Sequence, residues 1–445
     1  VSAERYVVLG LAHVRAGWFS EVSRWSTSGV APVEFVKCVS IDEVRSRLAS
    51  GRPVSALLLD AQRTGVDRDL LDAARTAGAA AIVVGDGRRN WVALGAAAQL
   101  PATFGRTELL DVLRANATVI GAPGGAAEPV APVVDGGWRG RLVAVTGAGG
   151  TGTSTVAMAL AQGLATDPRN LGLVCLADLA LDADLAMFHD ARDVVPGVQE
   201  LVEAFRSGTP EPDAVRAMTF PVTDRGYHLL LGLRNHRDWT AVRPRSFDAA
   251  LDALRRTFRV VVADIDDDLE GQERTGSIDV EERNLFARRT SALADLVVVT
   301  GEPTTKGVHA LVRSVHRLVE HGVDPGRLLP VVNHAPRSPR RRAELARAVA
   351  QLTGPTAHHG LAGPVFLVAR RGLDDLVNQS APLPWPLVRM VTAAVAGVLD
   401  TAAWPAAAGP SAASGERVVP GTLGAWADAG TGTGTGTGTG EEAAG

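Results

Sequence analysis

Leu142-Val143-Ala144-Val145-Thr146-Gly147-Ala148-Gly149-Gly150-Thr151-Gly152-Thr153-Ser154-Thr155 is the stretch whose reading decides the fold. An apolar run of strand length passes into closely spaced glycines and then into hydroxyl residues. Small residues let consecutive backbone N–H groups turn toward one anion at the mouth of a helix. Gly147, Gly149, Gly150, Thr151 and Gly152 supply that turn, Ser154 stands where a hydroxyl would ligand Mg²⁺, and Thr155 continues the helix start. The lysine expected between Gly152 and Ser154 is Thr153.

Three readings fit this stretch. The first is a phosphate loop without its lysine. The second is a dinucleotide turn, because Gly147-x-Gly149-x-x-Gly152 satisfies the glycine fingerprint and Asp178 ends the next strand, where a ribose-binding acid would stand. The Tyr-x-x-x-Lys pair of short-chain dehydrogenases is not available, since the only tyrosines are Tyr6 and Tyr227 and the residue four past Tyr227 is Leu231. The third is a glycine turn with no ligand. The surrounding sequence favours the first. Val260-Val261-Val262-Ala263-Asp264 is a buried-strand pattern ending in a carboxylate, which matches a Walker B strand whose acid reaches the Mg²⁺ shell. Asp178 would face the same edge from a neighbouring strand. Asn333 follows Leu328–Val332, a position from which an amide can read an adenine edge.

The order of the loop, Cys175-Leu176-Ala177-Asp178, Val261–Asp264, Leu296–Thr300 and Val332-Asn333 resembles the MinD/ParA family of deviant-Walker ATPases. In that family the loop reads K-G-G-x-G-K-[ST]; its two lysines fall on Ala148 and Thr153 here. The family's first switch acid falls on Leu176. Ser154, Asp178, Asp264 and Asn333 match its Mg²⁺, switch, Walker B and adenine positions. The resemblance implies ATP or ADP with Mg²⁺ as ligands. It assigns Asp178 and Asp264 to catalysis, Ser154 and Asp264 to the metal, and Gly147, Gly149–Thr155 and Asn333 to the nucleotide.

An ammonium ~3–4 Å from phosphate oxygens is worth about 4 kcal/mol at an effective dielectric near ~20. Spent in the transition state, that is about a thousandfold in rate. Its loss implies at most a weak ATPase that still binds nucleotide through amides and Mg²⁺. The alternative is an active ATPase using a displaced cation, for which Lys306, on the loop after the strand ending at Thr300, is a candidate beside an ordinary solvated lysine.

At 445 residues the chain is too long for one ordinary domain. Residues 5 to 115 alternate strand and helix patterns: Tyr6–Leu9, Val33–Val36, Ala56–Asp60 and Ala80–Val84 read as strands, with helices near Trp18–Trp25, Ile41–Leu48, Asp67–Ala77 and Leu109–Ala115. That order implies a parallel sheet with helices on both faces. Residues 1–115 read as a receiver-like (flavodoxin-like) domain, 116–138 as an Ala/Pro/Gly linker, 139–403 as a P-loop domain with a mostly parallel sheet, and 404–445, with the Gly-Thr repeat Gly430–Gly440, as a disordered tail. In the second domain Leu142–Thr146, Leu171–Leu176, Tyr227–Leu231, Val260–Ile265, Leu296–Thr300 and Leu328–Val332 read as strands.

Asp60 ends the third strand, where a receiver carries its phosphoacceptor. The acidic pair that would hold Mg²⁺ is replaced by Gly10-Leu11-Ala12-His13, and the hydroxyl after the fourth strand by Gly85. The expectation is a pseudo-receiver used for docking or dimerisation. With this domain in front, the chain resembles the CpaE/TadZ branch, and more closely the actinobacterial septum-site-determining homologues near Flp/Tad pilus or secretion genes. This implies a homodimeric spatial regulator at a pole or septum that works with pilus, secretion or division proteins and reaches the membrane through partners.

The remaining features read more plainly. Net charge is −4, and nucleic acid is not an expected partner; the Arg337, Arg340, Arg341 and Arg342 cluster keeps a ParA-like DNA-partitioning role as an alternative. Two cysteines, Cys38 and Cys175, suit a reducing cytoplasm. His358-His359 reads as a solvated loop, Asp266-Asp267-Asp268 as a polar loop in water, and Trp385–Trp404 as a packed helix rather than a membrane anchor.

Overall fold

The computed structural model describes residues 5–13, 16–120, 138–191, 195–357 and 360–399. Most of the expected linker, His358-His359 and the expected tail lie outside them. The chain is mixed α/β and builds two sheets.

In the first, β1 (Tyr6–Leu11), β2 (Val33–Cys38), β3 (Ala56–Asp60), β4 (Ala80–Val84) and β5 (Ala98–Leu100) run parallel in the order β2-β1-β3-β4-β5. Strands β3 and β4 are buried throughout, so both faces demand apolar side chains, as in any helix-covered parallel sheet. Two helices are capped by side chains: Ser40 accepts from the Glu43 amide and Asp67 from the Leu70 amide.

The second sheet contains β6 (Arg141–Gly147), β7 (Val174–Leu179), β8 (Phe220–Val222), β9 (Tyr227–Leu230), β10 (Val260–Ile265), β11 (Leu296–Gly301), β12 (Leu328–Ala335) and β13 (Val365–Val368). Its order is β13-β12-β11-β6-β10-β7-β9-β8, parallel except for β8 against β9. The ends of five strands therefore meet at one edge and bring Gly147, Asp178, Asp264, Thr300 and Asn333 to it. The order turns at β6, between β10 and β11, and such a switch point is where open α/β sheets take ligands.

The helix Thr153–Ala165 leaves that edge almost wholly buried, between the sheet and the helix Trp385–Leu399. Gly163 permits this approach: a Cβ there would stand 1.9 Å from Thr392 Oγ1. Trp385–Leu399 is thus a packed helix, and no described helix is long and apolar enough to cross a membrane. Among the described residues the apolar core divides into four clusters, and none joins the two sheets.

Two sequence expectations shift. The strand expected from Leu171 begins at Val174, because a 3₁₀ turn at Pro168–Asn170 and a left-handed Gly172 hold Leu171 outside, two-thirds exposed. Asp266–Asp268 is not a loop in water. All three residues are partly buried and engaged: Asp266 accepts from the Leu181 amide, Asp267 pairs with Arg317 and Asp268 with Arg283.

Candidate functional site

The loop between β6 and the helix Thr153–Ala165 is built by left-handed turns at Gly150 (φ 82°) and Gly152 (φ 83°). Its four glycines fall into two kinds. A Cβ on Gly147 would stand 2.1 Å from Thr300 Oγ1, and one on Gly152 would stand 2.4 Å from Asn333 Nδ2. These two are needed for packing. Gly149 and Gly150 are exposed, and a Cβ on either meets no atom within 4 Å. The outer wall of the loop is therefore open.

The amides of Thr153, Ser154 and Thr155 belong to the first turn of the helix and have no intrahelical acceptor. Among the described residues no other acceptor meets them; the Thr151 amide bonds to Ala148 O and the Val156 amide to Gly152 O. The helix dipole adds partial positive charge at the same place. An anion fits this arrangement.

Thr153 does not point an ammonium-like group at that anion. It is held in a knot of three hydroxyls, 2.9 Å from Thr300 Oγ1, which also lies 2.8 Å from Thr151 Oγ1. Thr300 Oγ1 is 3.1 Å from Thr146 O and Thr151 Oγ1 2.7 Å from Ala148 O. Each hydroxyl has one proton: Thr153 donates to Thr300, Thr151 donates to Ala148 O, and Thr300 donates either to Thr151 or to Thr146 O. Thr300 is fully buried. It was invisible as a site residue in the sequence, where it is one threonine at the end of an apolar strand far from the loop.

Asp264 and Asp178 stand in register on the neighbouring strands β10 and β7. Asp264 is pushed up to about 7, first by burial; the nearby Ser154 hydroxyl opposes this, and Asp266 and Asp184 add to it. Asp178 has no exposed surface. Its Oδ2 accepts from the Leu185 amide at 2.9 Å, and its Oδ1 has no partner. Burial first, then Asp264, raises its carboxyl well above the usual range, against the pull of the Leu185 and Ala180 amides. Buried carboxylates crowded in this way favour a proton or a cation. Ser154 and Asp264 are the pair that would hold Mg²⁺, which would supply charge neutralisation at the phosphate.

Asn333, expected at an adenine position, has both ends of its amide engaged by the chain itself. Nδ2 donates to Thr151 O at 2.9 Å, and Oδ1 accepts from the His334 amide at 2.9 Å. In this structure it ties β12 to the loop. Lys306 is exposed in the first turn of the helix Thr305–Glu320 and forms no ion pair among the described residues. Of the basic cluster, Arg340 pairs with Glu344 and Arg342 donates to Pro336 O, while Arg337 and Arg341 are exposed.

On the first sheet Asp60 is buried, and both carboxylate oxygens are taken: Oδ2 by the His13 amide at 3.0 Å and Oδ1 by the Gln62 amide at 2.9 Å. Gly85 packs against Ala61, where a Cβ would stand 2.3 Å from the alanine methyl.

No family model and no curated protein matches the chain. Among solved structures it is similar to a ParA family ATPase from Chlorobium tepidum, at 12% identity, covering 57% of this chain and 98% of that one, with a TM-score of 0.44. It is also similar to the cell division ATPase MinD of Pyrococcus furiosus, at 15% identity, 59% and 100% coverage and a TM-score of 0.44. A third is the septum site-determining protein MinD complexed with Mg-ADP from Pyrococcus horikoshii, at 15% identity, 59% and 97% coverage and a TM-score of 0.42.

Proposed function

We propose that this chain is a MinD/ParA-type spatial regulator that takes ATP or ADP with Mg²⁺ as a conformational ligand and hydrolyses it weakly or not at all. The observation that carries the reading is the open loop wall at Gly149 and Gly150 above unpaired helix amides, beside a Ser154–Asp264 pair. Backbone donors hold the phosphates, Ser154 and Asp264 hold the ion, and Asp178 lies in the next strand as the switch acid. The hydroxyl of Thr153, bound to Thr300, supplies no charge to a transition state. Among the described residues Lys306 makes no ion pair and no hydrogen bond to the loop that would make it the displaced cation.

The finer role rests on the motif resemblance: a homodimer at a pole or septum, serving pilus, secretion or division proteins. The pseudo-receiver, its Asp60 satisfied by amides, serves docking rather than phosphotransfer. The test is a titration of the full chain with a labelled ATP in the presence and absence of Mg²⁺. Saturable, Mg²⁺-dependent binding with turnover near background supports the reading. No binding, or turnover at the rate of an ordinary P-loop ATPase, overturns it.

A further inference from the structure

Among the described residues the two sheets share no buried apolar cluster, yet a group of hydrogen bonds and ion pairs joins them. It is made by the start of the helix Arg68–Thr76 in the first domain. Asp69 Oδ1 accepts from the Arg245 amide at 3.0 Å, and Oδ2 from Ser246 Oγ at 2.6 Å. Both groups lie in the first turn of the helix Pro244–Thr257, whose own N-cap residue, Arg243, makes no side-chain cap. Asp69 therefore caps a helix of the other domain. Arg68 does the converse: its Nε donates to Phe205 O at 3.1 Å and its Nη2 to Gly208 O at 3.5 Å, at the C-terminal end of the helix Val198–Ser207. An acid at one helix's positive end and a cation at another's negative end are both favourable placements. Asp67–Arg206 at 2.7 Å and Asp72–Arg245 at 2.6 Å flank them.

The two helices so held are those that frame the acids of the site. Pro244–Thr257 runs directly into β10 and Asp264. Val198–Ser207 follows the segment that leaves β7 at Asp178, passing through Leu181, whose amide bonds to Asp266, and Leu185, whose amide bonds to Asp178. Hydrogen bonds and ion pairs of this kind can be exchanged for water, which is the character of releasable domain interfaces.

We propose that Arg68 and Asp69 form a releasable clamp through which the first domain sets the order of the site's acidic edge. Docking holds the Asp178 and Asp264 segments in place; undocking loosens them. By linkage, a ligand that orders that edge strengthens docking. The consequence for nucleotide rests on the function proposed above, but the clamp itself is tested without nucleotide.

The experiment is residue-resolved hydrogen exchange on the full chain, comparing wild type with Asp69→Ala and Arg68→Ala. The clamp predicts that Asp69→Ala speeds exchange at the Arg245 amide about tenfold, the scale of a lost charged hydrogen bond. Arg68→Ala removes hydrogen bonds to Phe205 O and Gly208 O, not to Pro244–Thr257, yet should speed the same amide through release of the whole contact. Leu181 and Leu185 should speed up in both variants, while Val331 in β12 keeps its wild-type rate. Acceleration confined to Arg245 and Ser246 would make Asp69 a passive cap and overturn the proposal. So would no change in either variant, or acceleration of Val331 by the same factor. If the wild-type chain binds no nucleotide, the proposed function fails while these rates still decide the clamp.

Discussion

Asp60 on β3 and Asp178 on β7 both stand at the end of a buried parallel strand, and they differ in how the chain meets their oxygens. Asp60 on β3 spends both oxygens on backbone amides of its own loop. Asp178 on β7 keeps one oxygen without a partner, with the carboxyl of Asp264 on the next strand and a loop of open amides one strand further on. Burial is common to both. What separates a strand-end acid that serves structure from one that serves a ligand is whether the chain has already satisfied it. The same distinction divides the glycines of the loop: Gly147 and Gly152 answer to Thr300 and Asn333, while Gly149 and Gly150 answer to nothing in the protein.

The comparison breaks most sharply at Thr153, Asp264 and Gly147, with Asp60 as the contrast. Thr153→Lys restores the ammonium, and turnover should rise by up to about a thousandfold over wild type, measured as phosphate release. An inert Thr153→Lys chain that still binds nucleotide would mean that the site lacks more than a charge. Asp264→Ala should weaken Mg²⁺-dependent nucleotide binding by about a hundredfold, while Asp60→Ala leaves that affinity unchanged. Equal effects of the two would erase the distinction between them. Gly147→Ala drives a methyl into Thr300 and should lower the melting temperature by several degrees, about 2 kcal/mol of overpacking.

A pH series sharpens the contrast further. Asp264 has its folded pKa raised to about 7, so the folded chain binds that proton more tightly than the unfolded one. Its contribution to stability is complete below the ordinary carboxylate range and is lost as pH rises through about 7. Asp178 shifts in the same direction. Asp264→Asn should flatten the fall in melting temperature between these limits, and Mg²⁺ affinity of the wild type should rise over the same range as the ion displaces the proton. The smallest effect belongs to Asp60→Asn, which keeps one acceptor oxygen and should cost about 1 kcal/mol in denaturant unfolding.

Much of this was legible in the residues. Val260–Ile265, Ala56–Asp60 and Ala80–Val84 read as strands with the bounds they have, because four or five apolar residues end at an acid or a glycine. The glycine loop between β6 and the helix Thr153–Ala165 is a local pattern and was readable as a turn into a helix. Contacts between residues distant in the chain were not: Thr300 reaching Thr153, Asn333 turning onto Thr151 O, and Asp69 capping Pro244–Thr257 leave no mark in spacing or periodicity. The short strands β5, β8 and β13 escaped for a related reason. Three or four residues beside proline or glycine carry too little pattern, and pairing to longer neighbours defines them. Leu171 misled in the opposite sense, an apolar residue held outside by a turn.

The central claim is that backbone amides at Gly149–Thr155 grip phosphate without a lysine. Calorimetric titration of the full chain with Mg·ATP, in wild type and Gly149→Val, tests it most directly, since that side chain meets no protein atom at its Cβ and should obstruct only the ligand. The account predicts one-site binding in wild type that disappears in Gly149→Val at an unchanged melting temperature. Equal binding by both proteins, or none by wild type at nucleotide concentrations up to about 1 mM, would contradict it.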